Sequence, residues 1–110
     1  MNIQIFGRSK CFDTKKAERY FKERRIKFQK IDLNEIGLSR GEFTSVKQAV
    51  GIEAMKDDNA QDAIVLNYLA YEADIIEKML ENPKLIKSPI VRNGKKATVG
   101  YCPEIWKTWE

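Results

Sequence analysis

Apolar residues come first as a short run and then as a stripe. Asn2 to Phe6 places Ile3 and Ile5 on one face and adds Phe6, the pattern of a buried strand. Gly7 to Lys10 read as a tight loop. From about Cys11 to Glu23 the spacing turns helical, with Ala17, Tyr20 and Phe21 as the buried stripe. Lys27 to Leu33, with Phe28, Ile31 and Leu33 apolar, predicts a second strand. Strand, helix, strand in this order makes a crossover long enough for the two strands to run parallel. Such a crossover is right-handed in nearly all proteins.

Ser39 and Glu42 are spaced as a capping box, in which each side chain meets a free N–H at a helix start. Phe43, Val46, Lys47 and Val50 continue that helix, and Gly51 marks its stop. Residues 52–61 are polar and acidic and read as a loop. From Asp62 to Glu81 the residues Ile64, Tyr68, Tyr71, Ile75 and Met79 predict one long helix or two short ones with a break. Asn82-Pro83 ends it, since the residue before proline avoids helical angles. Residues 89–92 and 96–99 are strands around Asn93-Gly94, a hairpin signal in which both residues tolerate positive φ. A last helix, 103–109, carries Pro103 in its first turn, with Ile105, Trp106 and Trp109 as anchors. Tyr20, Phe21, Tyr68 and Tyr71 are assigned to the core. The class is α/β (α+β), with a four-stranded mixed sheet of the thioredoxin/glutaredoxin-like layout. One domain spans 1–110, and a helical insertion occupies about 38–82.

The totals narrow the chemistry. The 110 residues are 43% hydrophobic and 33% charged, an ordinary globular composition. Apolar stretches are too short to span a membrane. The first residues lack a signal-peptide layout, so a cytoplasmic location is expected. Two cysteines do not make a secreted disulfide framework. The chain has no histidine, which removes Cys-His dyads, Ser-His-Asp triads and histidine zinc sites. No metal or organic cofactor is implied. Net charge is +7 over residues 1–30, −7 over 31–82 and +4 over 83–110. Lys15, Lys16, Arg19, Lys22, Arg24 and Arg25 share the first helix region with Glu18 and Glu23. That mixture reads as a solvated face, not a nucleic-acid surface. The asymmetry is suited instead to an acidic protein partner.

Cys11 falls where the strand gives way to the helix. Unpaired amides of a first turn point outward there and favour an anion. The thiolate is the reactive form of cysteine. Arg8 and Lys10 lie beside it in sequence, and the Thr14 hydroxyl is one turn on. Asp13 mainly stabilises the helix start. The competing reading is a small buried core cysteine, with Thr14 packing or capping.

Two stretches carry a family resemblance. Residues 79–101, MLENPKLIKSPIVRNGKKATVGY, and residues 3–33, IQIFGRSKCFDTKKAERYFKERRIKFQKIDL, resemble the arsenate-reductase (ArsC)/Spx family. Residues 34–78 match in general layout only. The resemblance implies a thioredoxin-like fold with a helical subdomain and makes Cys11 the reactive cysteine. It makes Pro89 the proline beside the reactive sulfur, usually cis, leaving the backbone before it free to pair with an extended thiol substrate. Ser88 and Pro89 thus become a substrate clamp, and Arg92 lies near the anionic end of a substrate such as glutathione or at the surface. By the family layout Cys102 starts the last helix and is a possible resolving thiol. A Cys11–Cys102 bridge needs Cα atoms within about 7 Å.

The departures are specific. Ser88, preceded by Lys87, stands where arsenate reductases have an arginine. Ala54-Met55-Lys56-Asp57-Asp58 and Gly100-Tyr101-Cys102 replace two further arginine positions. An arginine fork is the natural ligand of a tetrahedral oxyanion. Thr14 replaces the second cysteine of the Spx pair. The expected activity is therefore thiol–disulfide exchange at Cys11 on a small thiol or disulfide substrate. Glutathione or another low-molecular thiol would serve as co-substrate. The alternative is an Spx-like protein-binding or regulatory module without catalysis. A third reading is arsenate reduction with Lys87 and Arg8 replacing the arginines.

Overall fold

The strand order β2-β1-β3-β4 defines one mixed sheet in the computed structural model, which describes residues 1–110. The strands are β1 (Ile3–Gly7), β2 (Phe28–Asp32), β3 (Ile90–Asn93) and β4 (Lys96–Val99). β2 joins β1 in parallel, and β3 joins β1 and β4 antiparallel. The helices are α1 (Phe12–Glu23), α2 (Arg40–Val50), α3 (Ile52–Met55), α4 (Glu72–Glu81) and α5 (Pro103–Lys107).

Alternation along the strands divides the core between two faces. Ile5 lies opposite Val91, and with Ile3 they pack against Ala17, Tyr20 and Phe21 of α1 and Trp106 of α5. Phe6 lies opposite Ile90, and with Ile31 and Leu33 they pack against Phe43, Val46, Met55, Leu66 and Met79. Burying both faces explains why β1 reads as a continuous apolar run. The Trp106 indole N–H donates to the Thr98 hydroxyl at 2.8 Å, so its polar edge is satisfied inside the core.

The capping box forms: Ser39 Oγ accepts from the Glu42 N–H at 3.1 Å, and Glu42 accepts from the Ser39 N–H at 2.9 Å. Gly51 ends α2 with φ of 85°, a conformation that costs glycine no Cβ clash.

Between α2 and β3 the structure corrects the pattern. Residues 52–55 form α3, not loop, and Met55 is fully buried. Four residues are too few to display a period. Of the two alternatives for 62–81 the broken one forms, as a 3₁₀ segment Ala63–Tyr68 followed by α4. The tighter winding of a 3₁₀ turn moves the inward position to Leu66. Ile64, Tyr68 and Tyr71 are consequently 60%, 80% and 72% exposed and are not core. In α5, which ends at Lys107, Trp106 is the buried anchor while Ile105 is exposed. Arg92 is not free at the surface. Its guanidinium donates to Gln4 Oε1 at 2.8 Å and Ser45 Oγ at 3.4 Å, tying β1 and β3 to α2.

Candidate thiol site

Gly7 closes β1 against the first turn of α1. A Cβ there would collide with Cγ2 and Oγ1 of Thr14. Glycine thus lets Thr14 sit 2% exposed beneath the loop, where its hydroxyl accepts from the Arg8 N–H at 3.3 Å. Cys11 is the N-cap of α1, in extended conformation. Its carbonyl accepts from the Lys15 N–H at 3.2 Å. The amides of Asp13 and Thr14 have no backbone acceptor and remain available to the sulfur.

The Cys11 thiol is half-buried and donates to the Ser88 carbonyl at 3.7 Å. Burial pushes its pKa up. Hydrogen bonds from the Ser88 side chain, the Thr14 hydroxyl and the N–H groups of Thr14 and Asp13 outweigh that and hold it below an ordinary thiol. The Ser88-Pro89 peptide is cis, and Pro89 is buried at the head of β3.

A cleft of about 550 Å³ opens over the sulfur, lined by Arg8, Lys10, Cys11, Asp57, Lys84 and Ser88 among others. Arg8 does not hang free in it. Its Nε donates to Asn34 Oδ1 at 2.9 Å and its Nη2 to the Pro83 carbonyl at 2.6 Å. Burial lowers the Arg8 pKa, opposed by the charges of Asp57, Cys11 and Asp32. Arginine stays protonated throughout. Lys10 and Lys84 are exposed and carry the cleft's uncommitted positive charge, with Asp57 as its one carboxylate.

Arg8, Lys10, Cys11 and Ser88 therefore share one cleft, with Thr14 and Pro89 behind it. Cys102 does not line this cleft; it is the N-cap of α5, and its thiol donates to the Val99 carbonyl at 3.3 Å. Both thiols are free. Burial raises the Cys102 pKa, assisted by the charge of Asp13 and opposed by the Thr98 side chain and Lys87. Lys84 and Asn34 are not among the site residues the sequence predicts, and Asp57 is there only within a segment that replaces a family arginine. They come from three separate segments, and no local pattern joins them. No cluster of three or more His, Cys, Asp or Glu side chains is placed to hold a metal ion. No helix is long and apolar enough to cross a membrane.

Residues 6–109 match the ArsC family. The chain belongs to that family. Its thioredoxin-like sheet is the one the family resemblance implied. Global transcriptional regulator Spx 2 from Oceanobacillus iheyensis is 26% identical over 107 residues, covering 92% of this chain and 78% of the relative. An arsenate reductase from Vibrio cholerae superposes with a TM-score of 0.83 at 26% identity, over 96% of this chain and 94% of its own. An ArsC-family-related protein from Bacteroides fragilis reaches a TM-score of 0.86 at 19% identity, over 100% and 98% of the two chains, and shares the fold. In this chain Ser88 borders the Cys11 sulfur and Asp57 lines the cleft above it.

Proposed function

We propose that this ArsC-family protein carries out thiol–disulfide exchange in the cytoplasm, with Cys11 as its nucleophile. The observation that carries the reading is the set of donors converging on one half-exposed sulfur at the start of α1. The Cys11 thiolate attacks one sulfur of a disulfide. The S–S bond breaks, its electron pair leaves on the second sulfur as a thiolate, and Cys11 is held in a mixed disulfide. A low-molecular thiol such as glutathione, as its thiolate, then attacks the substrate sulfur and displaces Cys11. The co-substrate leaves as a mixed disulfide with the substrate, and Cys11 returns as thiolate. Lys10 and Lys84 would steady an anionic substrate, Ser88 and Pro89 would border its backbone, and Arg8 would hold the loop. Cys102 would resolve the intermediate only in a protein whose α5 start can approach Cys11.

Alkylation of Cys11 followed against pH by mass spectrometry, in a Cys102→Ser background, tests this. The midpoint should lie below that of a free peptide cysteine, about 8.5. A midpoint at or above it would remove the nucleophile from the reading.

A second reading, an Spx-like protein-binding module, is favoured by one observation. Ile64, Val65, Tyr68 and Tyr71 are exposed along a single segment. A partner retained by the Cys11→Ser protein and lost by a Tyr68→Ser/Tyr71→Ser protein would support it. Arsenate reduction is disfavoured, because the Arg8 guanidinium is already bound to Asn34 and Pro83 and Lys87 does not line the cleft over Cys11. Arsenite formed from arsenate with glutaredoxin or thioredoxin supplied would restore that reading.

A further inference from the structure

A groove of about 620 Å³ runs between α1 and α5. Lys16, Arg19, Arg24 and Lys107 line it against two carboxylates, Glu23 and Glu104. Lys16 and Arg19 are exposed and have no ion-pair partner within 4.0 Å. Tyr20 forms part of its wall, 5% exposed, with its hydroxyl reaching outward. That hydroxyl donates to Glu110 Oε2 at 3.2 Å, and Arg24 Nε lies 3.8 Å from the same oxygen. The Arg24 guanidinium is itself fixed flat against the Tyr20 ring, 3.7 Å from its centroid. Tyr20 and Arg24 thus form a built seat for one carboxylate, filled by the chain's own Glu110.

We propose that the α1–α5 groove docks an acidic segment of a protein partner. Carboxylates of that segment pair with Lys16 and Arg19, and one displaces Glu110 from the Tyr20–Arg24 seat. A nucleic acid fits less well. Glu23 and Glu104 interrupt the cations and repel a continuous phosphate chain, whereas a peptide can place its carboxylates between them. The groove uses neither cysteine, so this proposal stands or falls separately from exchange at Cys11.

The test is fluorescence anisotropy of fluorescein-labelled hexaglutamate on the full chain, at low salt and at about 0.15 M, where screening shortens the reach of surface charge to about 8 Å. Binding is expected, weaker at the higher salt. A Lys16→Glu/Arg19→Glu protein should bind about tenfold more weakly, since like charges facing each other are costly. Glu110→Gln should bind about two- to fivefold more tightly, because a neutral occupant competes less for the seat. This gain does not depend on any loss of fold. Cys11→Ser should bind as the parent does. The proposal is overturned if hexaglutamate does not bind, or if Lys22→Glu, outside the groove, weakens binding as much as the groove variant. It is equally overturned if Glu110→Gln leaves affinity unchanged, or if a single-stranded oligonucleotide of equal charge binds more tightly.

Discussion

Cys11 and Cys102 occupy the same formal position, the N-cap of a helix, and both are half-buried. Their thiol pKa values nevertheless move in opposite directions, Cys11 down and Cys102 up. The difference lies in where the first-turn amides point. After Cys11 the N–H groups of Asp13 and Thr14 are both free of backbone acceptors, and the Thr14 hydroxyl adds a third donor. After Cys102 the Glu104 amide, the counterpart of that of Asp13, also lacks a backbone acceptor, but no amide bonds the thiol. The amide of Ile105 is turned to the carbonyl of Cys102 itself, at 3.1 Å. The sulfur is left facing the Val99 carbonyl, with the Asp13 charge nearby. A helix N-terminus therefore favours a thiolate only where its amides are unspent and aimed at the sulfur. The dipole of a five-residue helix does not replace them.

The sharpest way to break this comparison is to measure both thiols together. In native protein at neutral pH, Cys11 should be alkylated faster than Cys102, because a larger fraction of it is thiolate. Equal rates would show that the amide count does not govern reactivity. Next in size is Gly7→Ala. The new methyl collides with Thr14 and must push it from the floor of the loop. Overpacking of this kind costs roughly 1–3 kcal/mol. The melting temperature should fall, and Cys11 alkylation should slow while Cys102 is unaffected. Thr14→Val is milder, since it keeps the shape and removes the hydroxyl. The midpoint of Cys11 alkylation should rise, and Thr14→Ser should restore it. Rescue by serine separates hydrogen bonding from packing.

How far the sequence reveals this site follows from how local each part is. The strand–loop–helix around Cys11 and the Ser39–Glu42 box form as their local chemistry dictates, and the hairpin forms too, but its loop is Gly94-Lys95, with Asn93 paired at the end of β3 and only Gly94 at positive φ. The stripe of α1 is legible because twelve residues give its period three turns. Residues 52–71 are not, because α3 is one turn long and the Ala63–Tyr68 segment winds with a pitch that a helical stripe misreads. The far wall of the cleft escapes for a different reason. Lys84 follows the Pro83 turn and Asp57 follows α3, and only the docking of both segments beside the Cys11 loop brings them to the thiol. The Lys87 N–H donates to the Met55 carbonyl at 2.8 Å and the Asp57 N–H to that of Leu85 at 2.9 Å, long-range bonds without a sequence signature. Arg8 illustrates the same limit. Its proximity to Cys11 is local, but its commitment to Asn34 and Pro83 depends on the folded insertion.

The smallest expected effect sets the two thiols against each other in stability. The folded-state pKa of Cys102 is raised, so its contribution to stability is fully present below the unfolded value of about 8.5 and is lost as pH rises through the folded one. Cys11 is depressed, so it contributes above the unfolded pKa, and that contribution is lost as pH falls through the folded one. In the parent protein the two slopes oppose each other between neutral and alkaline pH. Each single variant should expose the other. Cys102→Ser should lose less stability than the parent as pH rises, and Cys11→Ser should lose more, each by about 1–2 °C in melting temperature, because both groups are partly solvated. Melting curves taken in parallel from neutral pH to the alkaline side of the thiol range read this directly. Departures from the parent slope in the same direction in both variants would mean that neither sulfur feels its helix start in the way the opposed pKa directions require.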